Sequence, residues 1–186
     1  EKVDLITRLI QDRRVSSDYS EPIEEIVPGG KIIRFLFGPK KYLRKELLWP
    51  YLDDLADQLV TKLQTKENRP DWIHAHYADA GYVGSLLSRR LGIPLVFTGH
   101  SLGKEKQRRL LTTGADHKQI EQTYSISQRI DAEEFALAHA NLVITSTRQE
   151  AEDQYSKYSN FVPNNAVVIP PGVDSQRFHS IQSFNE

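Results

Sequence analysis

Three short segments of this sequence combine side chains that could bind or react with a small ligand. In the first, His76, Tyr77 and Asp79 place an imidazole, a phenol and a carboxylate directly after an apolar run. Such groups can exchange protons and hydrogen bonds with a substrate. Structural roles are the alternative, since Asp79 could cap a helix, Tyr77 could pack against its neighbours and His76 could be a hydrogen-bonded core residue. We assign His74, inside the run, to structure.

The second segment, from Thr98 to Lys106, could form a turn that binds an anion. Glycines flank the pair His100 and Ser101, which allows the backbone to come close to a ligand. The N–H groups of this turn and the ammonium group of Lys106 could then hold a phosphate. The spacing is not that of a Walker motif. A tight turn with lysines at the surface also explains the pattern.

The third segment lies on a predicted helix and contains Arg129, with Glu133 four residues further on. Residues at this spacing often pair along a solvated helix face, so the pattern alone does not identify a ligand-binding arginine. Trp49 and Trp72 are interpreted as residues of the core or of a helix start rather than as platforms for a substrate. No spacing of histidines or carboxylates indicates a metal site.

Apolar runs alternate with helical patterns along the chain, and these elements must position the three segments. Runs typical of strands occupy residues 2–10, 31–38, 72–77, 94–100, 142–147 and 166–172. Helical patterns occupy residues 45–66, 79–91 and 117–140, with one more helix starting at a capping box formed by Thr147 and Glu150. Gly92 is expected to end the second of these helices. Residues 11–30 are rich in turn formers and are predicted to form a surface loop.

Several of these strands are apolar on both faces, which requires helices on both sides of the sheet. The sequence therefore predicts an α/β fold with a doubly wound parallel sheet of the Rossmann-like kind. Ligands of such sheets bind beyond the carboxyl ends of the strands, where the first two segments lie. At 186 residues the chain has the size of about one domain.

The composition excludes several classes of function. The chain has 24 Lys and Arg against 25 Asp and Glu, so it lacks the uniformly basic surface that follows nucleic acid or an anionic membrane. It has no cysteine, which excludes disulfides and thiolate chemistry. No segment approaches the roughly 20 apolar residues of a membrane span. We therefore expect a cytoplasmic protein without nucleic-acid or membrane partners.

Longer stretches of the sequence resemble the acceptor-domain motifs of the sucrose-phosphate synthase family. They read HAHYADAGYVGSLLSRRLGIPLVFTGHSLGKEK, RIDAEEFALAHANLVITSTRQE and VVIPPGVD. The segment KKYLRKELLWPYLDDLADQL is also similar, so the resemblance extends from Val3 to about Phe178. The related sucrose synthases share the ITST-x-QE stretch but lack the combination of His-Ser-Leu-Gly and Arg-Ile-x-Ala-Glu-Glu. The resemblance therefore favours a phosphorylated acceptor.

This resemblance implies a retaining glycosyltransferase that transfers glucose from a nucleotide donor, UDP-glucose or ADP-glucose, to fructose 6-phosphate. It also implies a set of acceptor-binding residues, which are Lys45, Tyr77, Ser101, Lys106 and Arg129. Lys106 and Arg129 would be the principal phosphate contacts. His100 would be the catalytic residue, because it would face the donor glucose and stabilise positive charge at the anomeric carbon through its backbone carbonyl.

The family pattern also predicts how the chain is organised. Residues 1–172 are expected to form the acceptor-binding domain, without the first strand and glycine-rich loop of the family. Residues 173–186 are expected to form a linker toward a C-terminal donor-binding domain of the same protein, with a cleft between the two. We expect no tightly bound cofactor and no metal. The chain alone is expected to be inactive in glucosyl transfer.

Three alternatives remain open at this point. A sucrose synthase, or another retaining glycosyltransferase, would use a neutral acceptor. A binding or regulatory module could have kept the acceptor cleft and lost catalysis. An unrelated flavodoxin-like domain without sugar chemistry would require several motifs to coincide in order.

Overall fold

The computed structural model describes residues 2–173, in which strands and helices alternate. The strands are β1 (Val3–Arg8), β2 (Ile23–Val27), β3 (Gly30–Phe35), β4 (Ile73–His76), β5 (Leu95–Thr98), β6 (Leu142–Thr145) and β7 (Ala166–Val168). The α-helices are α1 (Leu52–Leu63), α2 (Tyr77–Leu91), α3 (Gly103–Thr112), α4 (His117–Tyr124), α5 (Ile126–His139) and α6 (Arg148–Asp153). This order confirms the predicted α/β class. Within residues 2–173 no helix is both long enough and apolar enough to cross a membrane.

The predicted parallel sheet is confirmed for four of the strands, and the other three form a separate sheet that was not expected. In the first sheet β1 pairs parallel with β3, and β2 pairs antiparallel with β3. In the second sheet β4, β5, β6 and β7 lie in that order and are all parallel. The prediction of a loop over residues 11–30 is wrong for Ile23–Val27, which forms a hairpin with β3. The sequence hides this strand because it contains two glutamates and stays mostly exposed.

The four-stranded sheet has a tightly packed core. Leu95 and Phe97 of β5 are completely buried, and they pack against Ala136 and Leu137 of α5. Tyr155, in the segment after α6, is also completely buried in this cluster. Burial of each large apolar side chain contributes about 1.5–3 kcal/mol. This packing fixes the position of β5, and with it the position of the residues that follow its carboxyl end.

A second cluster joins the two sheets. Buried leucines of α1 recur at helical spacing and pack against Val83 and Leu87 of α2. Ile6 of β1 and Ile73 of β4 pack against this same cluster. The two sheets therefore share one core, although their strands are not hydrogen-bonded to each other.

Local sequence signals set two helix ends as predicted. Gly92 ends α2 in a left-handed conformation with φ of 63°, where a side chain would be strained. At the start of α6 the hydroxyl of Thr147 accepts a hydrogen bond of 3.0 Å from the N–H of Glu150. The carboxylate of Glu150 accepts in return from the N–H of Ser146, at 2.7 Å. The capping box therefore forms, with its second bond displaced by one residue.

Two predicted helices are interrupted. The one expected over residues 117–140 is divided at Ser125, which has φ of 45° and separates α4 from α5. The one expected over residues 45–66 starts with the 3-10 turns Lys45–Leu47 and Trp49–Tyr51 and becomes α-helical only from Leu52. Both interruptions lie beside the site described next.

Candidate functional site

A cavity of about 160 Å³ lies beside the carboxyl ends of β4 and β5. A single water needs only about 10–15 Å³, so a small organic anion has room to enter. Four of the five predicted acceptor-binding residues line this cavity, namely Lys45, Tyr77, Lys106 and Arg129. They come from the 3-10 turn before α1, the start of α2, α3 and α5. Residues distant in the sequence thus meet at the edge of the sheet where ligands of α/β folds bind.

Tyr77 connects β4 directly to α2. Its φ of 68° is uncommon for a residue with a side chain, and the residue is 47% exposed. The centroid of its ring lies 4.8 Å from that of His100. Because α2 begins at Tyr77, two residues earlier than predicted, Asp79 lies inside the first turn. Asp79 lines the cavity, and the interpretation of this residue as a helix cap is wrong.

His76 and His100 are hydrogen-bonded to each other at the ends of β4 and β5. Nδ1 of His76 lies 2.7 Å from Nε2 of His100, so one ring donates its proton to the other. Partial loss of hydration at the strand end, and then the neighbouring imidazole of His100, lowers the pKa of His76. His76 is exposed rather than a core histidine. His74 is exposed as well, and its Nε2 lies 2.9 Å from the hydroxyl oxygen of Thr98.

His100 and Ser101 form the turn that connects β5 to α3. His100 has φ of 56°, and the N–H of the preceding Gly99 donates to the buried Tyr155 hydroxyl at 2.7 Å. Neither His100 nor Ser101 lines the cavity itself. They lie at its rim, because the carbonyl oxygen of Ser101 accepts a hydrogen bond from the guanidinium of Arg129, which does line it.

Arg129 is only 8% exposed, so it does not belong to a solvated helix face. Its Nε donates to Glu133 at 3.0 Å. Its Nη2 donates to the carbonyl oxygen of Ser101 and lies 3.3 Å from the hydroxyl of the same residue. Among the described residues these bonds occupy Nε and Nη2, which leaves the two N–H groups of Nη1 for a ligand. The guanidinium group thus points toward the turn that carries His100.

Lys106 and Lys45 bring further positive charge to the cavity. Nζ of Lys106 lies 3.6 Å from the centre of the Tyr124 ring, which is a cation–π contact. Burial, followed by repulsion from Arg129 and Lys45, lowers the pKa of Lys106. The three cations therefore repel one another across the cavity, and a bound anion would relieve this repulsion.

Sequence reasoning missed three residues of the cavity wall, which are Glu46, Trp49 and Tyr124. Trp49 does pack against the cluster between α1 and α2, as a core residue should, but it also faces the cavity. Tyr124 is the last residue of α4. Pro50, directly after Trp49, was the available signal for that residue. No such signal marks Tyr124, because the helical pattern of residues 117–140 continues through Ser125. Within residues 2–173 no three His, Asp or Glu side chains are grouped as metal ligands.

Comparison with known families identifies the class of protein that this fold and cavity represent. Residues 1–184 match the family model described as the first GT-B domain of sucrose synthase. The chain therefore belongs to this family of GT-B domains. The match covers nearly all of the sequence, including every predicted site residue.

Several individual relatives are named as sucrose-phosphate synthases. The chain is 38% identical to probable sucrose-phosphate synthase 2 of Arabidopsis thaliana, over 97% of this chain and 21% of that protein. It is 40% identical to probable sucrose-phosphate synthase 1 of Craterostigma plantagineum, again over 97% of this chain and 21% of that protein. It thus spans about 21% of the length of these relatives.

Among solved structures, a sucrose-phosphate synthase from Thermosynechococcus elongatus superposes with a TM-score of 0.74 at 24% identity, over 96% of this chain and 40% of that chain. At this level of identity the match shows a shared fold. Together with the curated relatives, it confirms the resemblance that the sequence motifs indicated.

Proposed function

We propose that this chain is the acceptor-binding domain of a retaining glycosyltransferase that transfers glucose from a nucleotide-glucose to fructose 6-phosphate, giving sucrose 6-phosphate. The observation that carries this proposal is the meeting of Lys45, Lys106 and Arg129 in one cavity, from three elements that are far apart in the sequence. A phosphate dianion matches such a group of cations. The reaction is inferred from the relatives, which are named as sucrose-phosphate synthases.

In this proposal the phosphate of the acceptor lies between Nη1 of Arg129 and Nζ of Lys106. Both contacts are charge-assisted hydrogen bonds, which contribute about 1.5–3 kcal/mol each. The phenol of Tyr77 and the hydroxyl of Ser101 contact the sugar, and Lys45 adds a third positive charge to the cavity. Holding the sugar phosphate at these points fixes the direction of its reacting hydroxyl.

The glucose of the donor lies beside His100. The backbone carbonyl of this residue stabilises the positive charge that develops at the anomeric carbon, and the hydrogen bond with His76 holds the imidazole in place. The bond between the anomeric carbon and the diphosphate breaks, with the electron pair leaving on the nucleotide. The acceptor hydroxyl forms the new glycosidic bond on the same face of the sugar and gives its proton to the departing diphosphate oxygen.

The donor is bound by a second domain of the same protein, with UDP-glucose as the first choice and ADP-glucose as the second. No tightly bound cofactor takes part in the proposed reaction. The site described here thus provides one wall of a cleft and the recognition of the acceptor.

The test is to replace Arg129 by Ala and Lys106 by Ala in the full-length protein and to measure KM for fructose 6-phosphate and for fructose. Each replacement removes one charge-assisted hydrogen bond, so KM for the phosphorylated acceptor should rise about 10- to 100-fold. KM for fructose should change little. Arg108→Ala is the matched control, because Arg108 is 60% exposed and pairs with Glu105 outside the cavity.

The outcomes separate the competing functions. An unchanged KM for fructose 6-phosphate in Arg129→Ala would show that the phosphate assignment is wrong. A preference of the unaltered protein for fructose would indicate a sucrose synthase, the enzyme named by the family model. Binding of sugar phosphate without any glucosyl transfer by the full-length protein would indicate a binding or regulatory module.

A further inference from the structure

Glu133 on α5 carries a carboxylate at a place where charged groups are rare. The residue is 0% exposed, and it does not line the cavity. Burial raises the pKa of this carboxyl, while hydrogen bonds from Tyr158 and Gly103 and the charge of Arg129 partly offset the effect. Ionisable side chains are seldom buried so completely unless they are paired. The pairing of Glu133 therefore needs a physical explanation.

Three separate segments of the chain donate hydrogen bonds to Glu133. The N–H of Gly103, the first residue of α3, donates to both carboxylate oxygens, at 3.1 Å and 2.8 Å. Nε of Arg129, on the same helix as Glu133, donates to Oε1 at 3.0 Å. The hydroxyl of Tyr158, from the segment after α6, donates to Oε2. The carboxylate thus connects α3, α5 and the segment that follows α6.

The start of α3 fits closely around this carboxylate. A Cβ atom at Gly103 would lie 2.9 Å from Oε2 of Glu133 and 2.8 Å from a side-chain carbon of Ile130, so only glycine permits this approach. The hydroxyl of Tyr158 also accepts a hydrogen bond of 3.0 Å from the N–H of Lys104. Glu133 and Tyr158 together therefore hold the first two residues of α3.

These contacts form a closed ring that includes the candidate site. Nε of Arg129 donates a hydrogen bond to Glu133, and Nη2 of Arg129 donates to the carbonyl oxygen of Ser101. The backbone then continues from Ser101 to Gly103, whose N–H donates to Glu133 and closes the ring. Because Nε and Nη2 are both fixed, the plane of the guanidinium group is fixed as well. Its remaining nitrogen, Nη1, is then directed before any ligand arrives.

We propose that Glu133, assisted by Tyr158, is a positioning residue that sets both the guanidinium of Arg129 and the turn carrying His100 for the phosphorylated acceptor. This inference rests on the proposed role of Arg129. Glu133 does not touch the acceptor. It restricts the conformations of the Arg129 side chain before the acceptor binds, so binding loses less conformational entropy. A buried ion pair does not by itself show that the fold is stabilised. The fixed direction of the Arg129 guanidinium is therefore the better explanation for a buried carboxylate at position 133.

The test compares Glu133→Gln and Tyr158→Phe with the neighbouring variant Glu134→Gln in the full-length protein. Gln has nearly the shape of Glu, but it offers one acceptor oxygen in place of two and adds an N–H₂ donor among existing donors. Glu134 is a matched control because it accepts hydrogen bonds from Lys104, at 2.7 Å, and from the N–H groups of Ser159 and Asn160, at 3.0 Å each, without touching Arg129 or Gly103.

The measured quantity is the ratio of KM for fructose 6-phosphate to KM for fructose, with kcat recorded for both. Glu133→Gln should raise this ratio about 10-fold, the equivalent of one misdirected charge-assisted hydrogen bond. Tyr158→Phe should raise it about 3-fold, because it removes one donor and keeps the carboxylate. Glu134→Gln should leave the ratio unchanged.

Each outcome decides between positioning and simple support of the fold. An equal rise of both KM values in Glu133→Gln would overturn the proposal and show a structural role. If Arg129→Ala raises the ratio and Glu133→Gln does not, positioning is wrong while the phosphate contact stands. If neither variant raises the ratio, the proposed phosphate contact of Arg129 is itself wrong. Should Glu133→Gln not fold, Tyr158→Phe decides, and an unchanged ratio there overturns the proposal.

Discussion

The two sheets of this molecule differ in how completely their strands are covered. In the four-stranded sheet Leu95 and Phe97 are fully buried, whereas in the three-stranded sheet Val3 is 65% exposed and Leu5 is 51% exposed. Apolar residues occupy three of six positions in β1 and three of four in β5. The stabilisation by burial therefore depends on the elements that cover a strand as well as on its own residues.

The candidate site lies on the well-covered sheet. His76 and His100 stand at the ends of β4 and β5, and Arg129 comes from α5, which packs beneath β5. Groups that must hold a ligand at fixed distances benefit from such support, because a rigid scaffold avoids loss of freedom on binding. A change in the four-stranded sheet should therefore affect stability and the site together, whereas a change in the three-stranded sheet should affect neither strongly.

The largest effect is expected from the same substitution made in both sheets. Leu95→Ala removes a fully buried side chain and leaves a cavity, so the free energy of unfolding of the purified chain should fall by about 2–5 kcal/mol. Leu5→Ala removes a half-exposed side chain and should cost less than about 1 kcal/mol. Urea denaturation of both variants measures the difference. Equal losses would show that the two sheets are covered and supported to the same degree.

An intermediate effect is expected at the junction between the well-covered sheet and the site. Gly103→Ala places a Cβ atom 2.9 Å from the carboxylate of Glu133, which is held by several donors and has little room to move. Such overpacking costs about 1–3 kcal/mol of stability. It should also raise KM for fructose 6-phosphate in the full-length protein, because α3 must shift away from α5.

The control for this prediction is Gly172→Ala. A Cβ atom at Gly172 would meet nothing within 4 Å, so the same substitution should be nearly neutral for stability. If both variants unfold at the same urea concentration, the close approach at Gly103 contributes nothing to the fold.

The sequence predicted the α/β class and the helix end at Gly92, because these depend on local patterns of apolar residues and on backbone conformation. It could not predict the division into two sheets, since pairing between strands depends on contacts that no local pattern records. Strand β2 was missed for the same reason. Its glutamates are acceptable only because the strand stays exposed after pairing with β3.

For the site, the motifs supplied Lys45, Tyr77, Ser101, Lys106 and Arg129, and their proposed roles stay predictions. Spacing alone suggested an ordinary surface pair for Arg129 and Glu133. Only the packing of α3 against α5 shows that the pair is buried. Residues 174–186, which include most of the predicted linker, lie outside the described part of the chain.

The smallest expected effect concerns pH and again separates the two regions. Burial, followed by the charges of neighbouring histidines, lowers the pKa of His74 and His76 below the ordinary value of 6.5. The unfolded chain therefore binds protons near pH 6.5 that the folded chain accepts only at lower pH. The free energy of unfolding should fall as the pH decreases from about 7.5 to 5.5. Residues 2–35 contain no histidine, so this dependence arises outside the three-stranded sheet.

Replacement of His76 by Asn removes one of these groups, and the stability of the variant should depend less steeply on pH over the same interval. Urea denaturation of the purified chain at a series of pH values measures the slope, and His117→Asn controls for the loss of an exposed histidine elsewhere. A steeper slope in His76→Asn would show that the folded protein favours the protonated ring, and the hydrogen bond between His76 and His100 would then have to be assigned to a charged pair.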